Sequence, residues 1–580
     1  MIEWEGDDDQ RRVADADTLV YDEGVIADVP TETITVSPTP DDLAVALTHL
    51  AAAHETDGPD RSAPSRRGHP PLLEVGDALE VPQTVRAATP DTGIELLVPP
   101  AFDALFVTAP LAYYLGATVL PADRTPFTIR VPERGLEHTP SSPLDRAAER
   151  LLRKMFFLDC LVRTADSSRP VAEASILDAL ELDPRDLTRA TPAERLETSL
   201  EIPHAALEHR LPDWHLATYV SPEPSTISLL PFLLDRLSLV VPPRTSELEG
   251  RELVERTLED FYRAGARNVA SVDVVKPELR ESLTHGWLAD GVPIDVFKST
   301  PAAYRNRLEY LERPSPVTSV CVVVNDPSMA DEFAGVAAVC RERADELSID
   351  LTIEESLGTA ALARLFETDY DFVHYIGHCE TDGLRCPDGF LSTSSVERCR
   401  VQTFFLNACG SFYEGRTLVE KGSVAGAVTL APVLDDHALK VGSTFARLLV
   451  HGFSIERALE LARRRIMMGK DYTVVGDGTH SVTRDGDRPS TTATVEPLKD
   501  GRFALTLECY SPVSAGSTYA PEVADDQYAY LCGTESAFVL DRDELATYLG
   551  RRTLPVVYDG DLCWSTDVSV RLAADRPAPP

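Results

Sequence analysis

Two stretches decide the fold: DFVHYIGHCETDG (371–383) and VQTFFLNACGSFYEG (401–415). Each begins with a short apolar run and stops at small residues beside a reactive side chain. Short runs rich in β-branched and aromatic residues, stopped by Gly, predict buried strands of a parallel sheet. Because ligands bind at the carboxyl ends of such strands, we expect His378 and Cys409 to face the same crevice. That pair suits a thiolate nucleophile with an imidazole partner.

The preceding segments extend the same pattern. VTSVCVVVND (317–326) is a continuous apolar run that predicts a central parallel strand, and apolar residues recur at helical spacing over 329–347. IDLTIEES (349–356) predicts a further strand, and TAALARLFETD (359–369) predicts a helix. Alternation of strands and helices predicts a parallel sheet with helices on both faces.

Together these motifs resemble the caspase-like cysteine peptidases, and among them the CHAT family. The family carries one strand ending in Gly-His and another ending in Ala-Cys, which correspond here to 377–378 and 408–409. The similarity continues along the chain in GSVAGAVTLAPVLDDHAL (422–439), FARLLVHGFSIERALELARR (445–464) and VVGDGT (474–479). It covers residues 316–480, and the order and spacing of the motifs make it specific.

The resemblance implies a cysteine-type endopeptidase whose fold is a caspase-like parallel sheet flanked by helices. It implies that Cys409 attacks the peptide bond and that His378 transfers protons. It also implies that the backbone amides of Cys379 and Cys409 hold the oxyanion. Asp435 and Asp436 fall in the loop after the next strand, where caspase-like enzymes contact substrate, although a solvated loop is the more ordinary explanation in so acidic a chain. The partner is then a protein or peptide substrate, with a regulatory protein as a further possibility, and no cofactor is needed.

The chain departs from the family at Cys379, which follows the candidate His where the family has Gly. Gly adopts φ > 0 much more easily than Cys does, so the change bears on the geometry of the oxyanion site. It also places a second thiol beside His378.

Other interpretations stay open at this point. A catalytically inactive CHAT scaffold would use its large N-terminal region to bind partner proteins, and a thiol-redox protein would link Cys379 to Cys409. A zinc site would draw on His374, His378, Cys379 and Cys386. Successive strand residues face opposite ways, and no close Cys pair completes a tetrahedral set, so we expect no metal site.

The composition is strongly acidic: the 580 residues carry a net charge of −39 and include only seven Lys. This balance resembles proteins of salt-loving archaea, whose carboxylates keep the surface hydrated while salt screens their repulsion. It disfavours the broad basic surface that nucleic-acid binding requires. The length allows two to four domains.

The cysteines and the start of the chain suggest a cytoplasmic protein. Ten Cys are scattered without pairing rhythm or a C-x-x-C motif, and the sequence opens MIEWEGDDD without a signal peptide. We therefore expect reduced thiols. The most apolar stretch, AFDALFVTAPLAYYLGATVL (101–120), contains Asp103 and Pro110, which favours a buried strand–helix pair over a membrane span.

Changes in the pattern of predicted strands and helices divide the chain into four regions. Residues 1–140 predict an α/β accessory region, and residues 141–313 a helical and α/β middle region. Residues 314–480 are the family-like domain. Residues 481–580 predict a β-rich region that packs on the catalytic sheet, with WSTDVSVRLAA (564–574) as one of its strands.

Overall fold

The computed structural model describes most of the chain. The described residues are 30, 32–123, 126–246, 274–311, 317–326, 348–431, 435–464, 471–482, 490–510, 515–523 and 527–574, without the side chains of 435–437. The helix expected over 329–347 lies outside them.

The first half of the chain alternates short strands with helices. Its strands are β1 (Thr33–Val36), β2 (Leu72–Val75), β3 (Glu95–Val98), β4 (Thr118–Pro121), β5 (Thr128–Val131), β6 (Leu136–His138), β7 (Leu216–Tyr219), β8 (Leu239–Val241), β9 (Thr245–Ser246), β10 (Val274–Pro277), β11 (Thr284–Trp287), β12 (Val292–Pro293) and β13 (Phe297–Lys298). Its helices are α1 (Pro40–His49), α2 (Gln83–Ala88), α3 (Phe102–Leu115), α4 (Leu144–Thr164), α5 (Ser175–Ala179), α6 (Pro184–Arg189), α7 (Pro192–Glu201), α8 (Leu230–Asp235) and α9 (Pro301–Leu311).

The second half contains longer strands. These are β14 (Thr318–Val324), β15 (Ile349–Glu355), β16 (Phe372–Ile376), β17 (Cys379–Glu380), β18 (Gly383–Cys386), β19 (Gly389–Leu391), β20 (Thr403–Asn407), β21 (Ala425–Thr429), β22 (Tyr472–Gly476), β23 (Thr491–Pro497), β24 (Phe503–Cys509), β25 (Thr518–Tyr519), β26 (Tyr530–Leu531), β27 (Glu535–Leu540), β28 (Pro555–Tyr558) and β29 (Asp561–Trp564). The helices are α10 (Thr359–Phe366), α11 (Phe412–Glu420), α12 (Asp435–Val450), α13 (Ile455–Arg463), α14 (Arg542–Arg551) and α15 (Ser565–Ala574).

One large mixed sheet runs through the centre of the molecule, in the order β15-β14-β16-β20-β21-β22-β13-β11-β7-β8. The first five strands in this order are parallel to one another, and so are the last five. The two blocks meet where β21 and β22 pair antiparallel, with Gly426 opposite Val475. Strands of the middle region therefore continue the sheet that carries His378 and Cys409.

The expectation of a wholly parallel sheet is wrong at β22, the strand of the VVGDGT motif. Two consecutive helices, α12 and α13, pack together between β21 and β22. The first helix returns the chain along the sheet and the second brings it back again, so the next strand has to run in the opposite direction. The expectation holds for β14, β15, β16, β20 and β21, which carry the candidate site.

The candidate strands bury side chains on both faces. On β16, Phe372 and Ile376 pack in the apolar layer that contains α12 and α13, whereas Val373 and Tyr375 pack in the layer that contains α10 and α11. Every residue of β16, β20 and β21 is buried. This double burial explains why these strands read as continuous apolar runs rather than as alternating ones.

The apolar stretch at 101–120 forms helix α3 and strand β4, as the sequence predicts. Most of α3 is buried, and Gly116 terminates it with a φ of 60°. The helix packs against α1, α4 and β8. Among the described residues, no helix is both long enough and apolar enough to cross a membrane.

The C-terminal region is a mixed sheet, in the order β27-β24-β23-β28-β29, covered by α14 and α15. The expectation of a strand over 564–574 is wrong. Trp564 is the last residue of β29, and the following ten residues form α15. Val568 and Leu572, four positions apart, are both buried. That spacing is helical, and β-branched residues in the segment concealed it.

The C-terminal sheet packs on helices α12 and α13. The Arg447 guanidinium lies 4.0 Å from the ring centroid of Trp564. Arg457 on α13 pairs with Glu508 on β24 at 2.6 Å. The two helices therefore form the layer between the two sheets.

Glu456, in the first turn of α13, is a largely buried carboxyl group, and we expect it to lower the stability of the protein as pH rises. Burial raises its pKa to about 7 although Arg463, 3.9 Å away, opposes the shift. An unfolded Glu titrates near pH 4.3. Between about pH 4.3 and pH 7 the unfolded chain has released this proton while the folded chain keeps it, so the free energy of unfolding falls across that window.

We expect Glu456→Gln, which mimics the protonated group, to be neutral near pH 4.5 and to stabilise the protein by about 2–3 kcal/mol at pH 8. Urea unfolding at both pH values measures the difference. Glu420→Gln is the matched control, because Glu420 is half exposed and pairs with Arg416 on the surface of α11. A Glu456 variant with the same advantage at both pH values would contradict the assignment.

Candidate functional site

Three neighbouring parallel strands end in register at one edge of the large sheet. Ile376 of β16 pairs with Val324 of β14 on one side and with Asn407 of β20 on the other. The residues two positions beyond these partners are Asp326, His378 and Cys409. Since adjacent strands lie about 4.8 Å apart, the sheet brings these three residues into one row at its carboxyl edge.

The carboxylate of Asp326 lies against the imidazole of His378. The distance between Asp326 Oδ2 and His378 Nε2 is 2.5 Å, and the side chains remain 20% and 22% exposed. Asn325 positions this turn, because its side chain accepts a hydrogen bond from the Leu357 amide at 2.8 Å and donates one to the Leu357 carbonyl at 3.1 Å. A carboxylate on one ring nitrogen fixes the orientation of the imidazole.

Cys409 lies in a tight turn between β20 and α11. Gly410 has a φ of 68°, which Gly adopts without strain. The Ser411 hydroxyl donates to the Leu406 carbonyl at 2.9 Å and accepts from the Thr429 amide at 3.1 Å. Cys409 is half-buried and lies three positions before α11 begins. The turn therefore places Cys409 just before the N-terminus of α11.

Asn407, at the end of β20, fixes this turn against two other elements. Its side-chain amide donates to the Ala438 carbonyl on α12 at 3.0 Å, and its side-chain oxygen accepts from the Tyr472 hydroxyl at 3.4 Å. The strand end therefore has little freedom to move relative to β22 and α12.

Cys379 occupies ordinary strand backbone at the start of a hairpin, opposite Leu384 of β18. Its φ is outside the positive region, so a Cys side chain at this position adds no backbone strain. The Arg385 amide donates to the His378 carbonyl at 2.8 Å. In an antiparallel ladder the next residue then directs its backbone away from the partner strand, so the Cys379 amide points away from β18.

The thiol of Cys379 is buried, with 4% of the residue exposed. Burial raises its pKa, and Glu414 and Cys409 act in the same direction. A buried thiol of this kind stays protonated at neutral pH and is a poor nucleophile.

Gly377 has a packing role rather than a conformational one. Its φ is not positive, but a Cβ atom there would lie 2.8 Å from the Tyr375 hydroxyl. That hydroxyl donates to the Arg385 carbonyl at 2.7 Å. Gly377 therefore lets Tyr375 fold back over the turn and hold the hairpin that follows His378.

His374 belongs to the core. Its ring packs 4.9 Å from that of Phe405 and 6.1 Å from that of Phe372, in the layer opposite Tyr375. Within the described part of the chain, no group of three or more His, Cys, Asp or Glu side chains is arranged to hold a metal ion.

Asp435 and Asp436 do not lie in a loop, as expected, but in the first turn of α12. Acidic residues favour the first turn of a helix because they complement its dipole, and the loop expectation overlooked this. The strand before them, β21, does pair with β20 as expected. The two residues thus follow the strand beside the one that ends at Cys409.

Asp326 is the site residue that motif matching missed. It ends the stretch 317–326, which the sequence predicts as a central strand with no functional role. The signal that could have found it is positional, since Asp326, His378 and Cys409 each follow an apolar strand by two residues. Recognising that offset requires the register between strands, which no local pattern contains.

No protein-family model matches the sequence, and no curated protein sequence matches it significantly. Among solved structures, the Arg-specific cysteine proteinase gingipain R (RgpB) is 9% identical, with a TM-score of 0.32 over 51% of this chain and 84% of that one. A complex of the pro- and mature domains of RgpB from Porphyromonas gingivalis gives 11% identity and a TM-score of 0.30 over 50% of this chain and 86% of that one.

The separase–securin complex of Saccharomyces cerevisiae is 10% identical, with a TM-score of 0.26 over 69% of this chain and 32% of that one. The chain therefore spans about a third of the separase chain that it matches. TM-scores this low assign neither a family nor a function. The candidate site is therefore defined by its own geometry, in which Asp326, His378 and Cys409 lie in one row at the edge of a mixed α/β sheet.

Proposed function

We propose that this chain is a cysteine-type endopeptidase with a caspase-like, CHAT-type fold, in which Cys409 is the nucleophile. The observation that carries the proposal is the contact between Asp326 and His378, in register with Cys409 at one sheet edge. A nucleophile, a base and a group that orients the base are the usual parts of a covalent hydrolase. No cofactor is required.

In the proposed reaction the Cys409 thiolate attacks the carbonyl carbon of a peptide bond. Asp326 holds Nε2 of His378, which leaves Nδ1 to take the thiol proton and later to deliver it to the leaving amine. Water then hydrolyses the thioester and regenerates the thiol. The backbone amides of Cys409 and Cys379 would stabilise the oxyanion, a role supported by the Cys379 amide pointing away from β18.

The proposed substrate is a protein or an extended peptide. Asp435 and Asp436 would contact it from the start of α12. The first half of the chain, which continues the same sheet, would contact substrate or a regulatory protein. The acidic, Lys-poor composition supports a protein adapted to concentrated salt, where screening weakens repulsion between carboxylates.

The test is turnover of a diverse peptide library, with thiol labelling by an active-site alkylator. A peptidase cleaves a subset of peptides and is labelled rapidly at Cys409, and cleavage stops once the label is in place. An inactive scaffold cleaves nothing and is labelled slowly at every accessible thiol. A thiol-redox protein yields a Cys379–Cys409 disulfide, an outcome that the raised pKa of Cys379 disfavours.

Asp326 should act as a positioning residue, because it contacts His378 rather than the reacting bond. We expect Asp326→Asn to lower kcat about 10²-fold while KM changes little, since the amide cannot stabilise the imidazolium. Steady-state kinetics on the best library peptide measures both constants. The control is Asp369→Asn, because Asp369 is 62% exposed and pairs with Arg400 at the opposite end of β16. Equal kcat values in the two variants would show that Asp326 has no role in catalysis.

A further inference from the structure

Two cysteines that are 23 positions apart in sequence meet in the C-terminal region. Cys509 Sγ and Cys532 Sγ are 3.5 Å apart, and both are free thiols. Cys509 ends β24 and is buried, whereas Cys532 follows β26 and is half-exposed. A sulfur–sulfur distance of 3.5 Å is van der Waals contact, so only a small side-chain rotation separates this pair from bonding distance.

The backbone around the two thiols is already held together. The Gly533 amide donates to the Cys509 carbonyl at 2.9 Å, and the Cys532 amide donates to the Ser517 carbonyl at 2.9 Å. The thiols can therefore approach each other without a rearrangement of the main chain. This is the condition under which a cross-link forms with little strain.

The segment between the two cysteines connects the C-terminal sheet to the first half of the chain. We call residues 515–523 and 527–531 of this segment the clasp. The Ala172 amide donates to the Ala529 carbonyl at 2.9 Å, and the Ala529 amide donates to the Pro170 carbonyl at 3.1 Å. Arg67 Nη2 donates to the Ala515 carbonyl at 2.9 Å. Arg163 on α4 also donates to the Gly516 carbonyl. The clasp therefore docks beside α4, and the two cysteines flank it in sequence.

We propose that Cys509 and Cys532 form an oxidisable dithiol, and that its disulfide locks the clasp in its docked position. This modification site is independent of the proposed peptidase activity. Cys509 belongs to the C-terminal sheet, whereas Cys409 follows a strand of the large sheet.

The oxidant is a low-molecular-weight disulfide. The half-exposed Cys532 loses its proton to solvent, attacks one sulfur of the small disulfide and releases one small thiol. Cys509 then loses its proton and attacks Cys532 Sγ in the mixed disulfide, which releases the second small thiol. In total, two protein thiols are oxidised to one disulfide while one small disulfide is reduced to two thiols. Burial raises the pKa of Cys509, which fits Cys532 as the thiol that reacts first.

The experiment treats the reduced full-length chain with oxidised glutathione, blocks the remaining thiols with an alkylator and maps the peptides by mass spectrometry. We expect a cross-linked peptide containing Cys509 and Cys532. Cys563, a half-exposed thiol in contact with Arg571, is the comparison and should form at most a mixed disulfide with glutathione. The variant Cys563→Ser should leave the cross-link intact, and Cys532→Ser should abolish it and leave Cys509 free for alkylation after unfolding.

Limited proteolysis tests the lock. Cleavage within the clasp should be about tenfold or more slower in the oxidised than in the reduced wild-type chain, because a disulfide raises the cost of local opening. Two results would overturn the proposal. The first is recovery of Cys509 as an alkylated thiol, with Cys532 present only as the glutathione adduct. The second is a cross-linked chain whose clasp is cleaved as fast as in the reduced protein.

Discussion

Cys409→Ala is expected to abolish peptide cleavage, with a loss of at least about 10³-fold, while the chain stays folded. The change removes one sulfur atom from a half-buried position, so it opens no large cavity. The turn around it is held by neighbouring groups, chiefly Ser411 and Asn407. Turnover of the peptide library measures the activity, and thermal unfolding measures the fold.

His378→Ala should reduce turnover to a similar extent, because residues that act as one catalytic unit do not contribute additively. The matched control is Cys379→Ala, which removes a neighbouring thiol and keeps the amide that would hold the oxyanion. We expect this variant to retain activity, and Cys379→Gly to do so as well. An active Cys409→Ala together with an inactive Cys379→Ala would mean that Cys379 is the nucleophile.

Arg307→Met is expected to destabilise the protein by about 3–5 kcal/mol, the usual cost of leaving buried charges without their partner. Arg307 on α9 is 1% exposed and bridges two carboxylates, Asp477 at 2.9 Å and Asp235 at 2.9 Å. Asp477 lies in the turn after β22, and Asp235 ends α8. The bridge therefore joins the end of β22 to helices α8 and α9, and urea unfolding should reveal its loss.

The pH dependence supplies a second readout of the same bridge. Burial by itself would raise the pKa of Asp477, but Arg307 and Arg236 outweigh it and hold that pKa below its usual range. A lowered pKa contributes stability above the unfolded value, near pH 4, and that contribution is lost as pH falls. In Arg307→Met, the free energy of unfolding should therefore fall less steeply as the pH is lowered below about 4.

The control for Arg307 is Arg398→Met. Arg398 pairs with Glu309, which lies on the same helix as Arg307. Both side chains of this pair are more than half exposed. Surface pairs contribute little, so we expect a change within about 0.5 kcal/mol. Equal losses in the two variants would mean that burial does not set the strength of the Arg307 bridge.

The strands around the candidate site could be predicted from the sequence because they are buried on both faces. Such strands are short apolar runs that end at Gly, Asn or Ser, and this local signal is strong. It located β14, β16, β20 and β21, and it put His378 and Cys409 at strand ends. The helix at 564–574 was missed because its β-branched residues favour strands when considered only locally.

By itself, the sequence determined which segments are buried strands, which reactive side chains end them, and that an imidazole and a thiol belong to neighbouring ends. Only the tertiary structure decided the register, and with it the place of Asp326 beside His378, the opposite direction of β22, and the continuation of the sheet into the middle region. The contact between Cys509 and Cys532 is of the same kind. Local patterns reflect burial and backbone preference, whereas pairing between distant segments depends on the free energy of the whole packed chain.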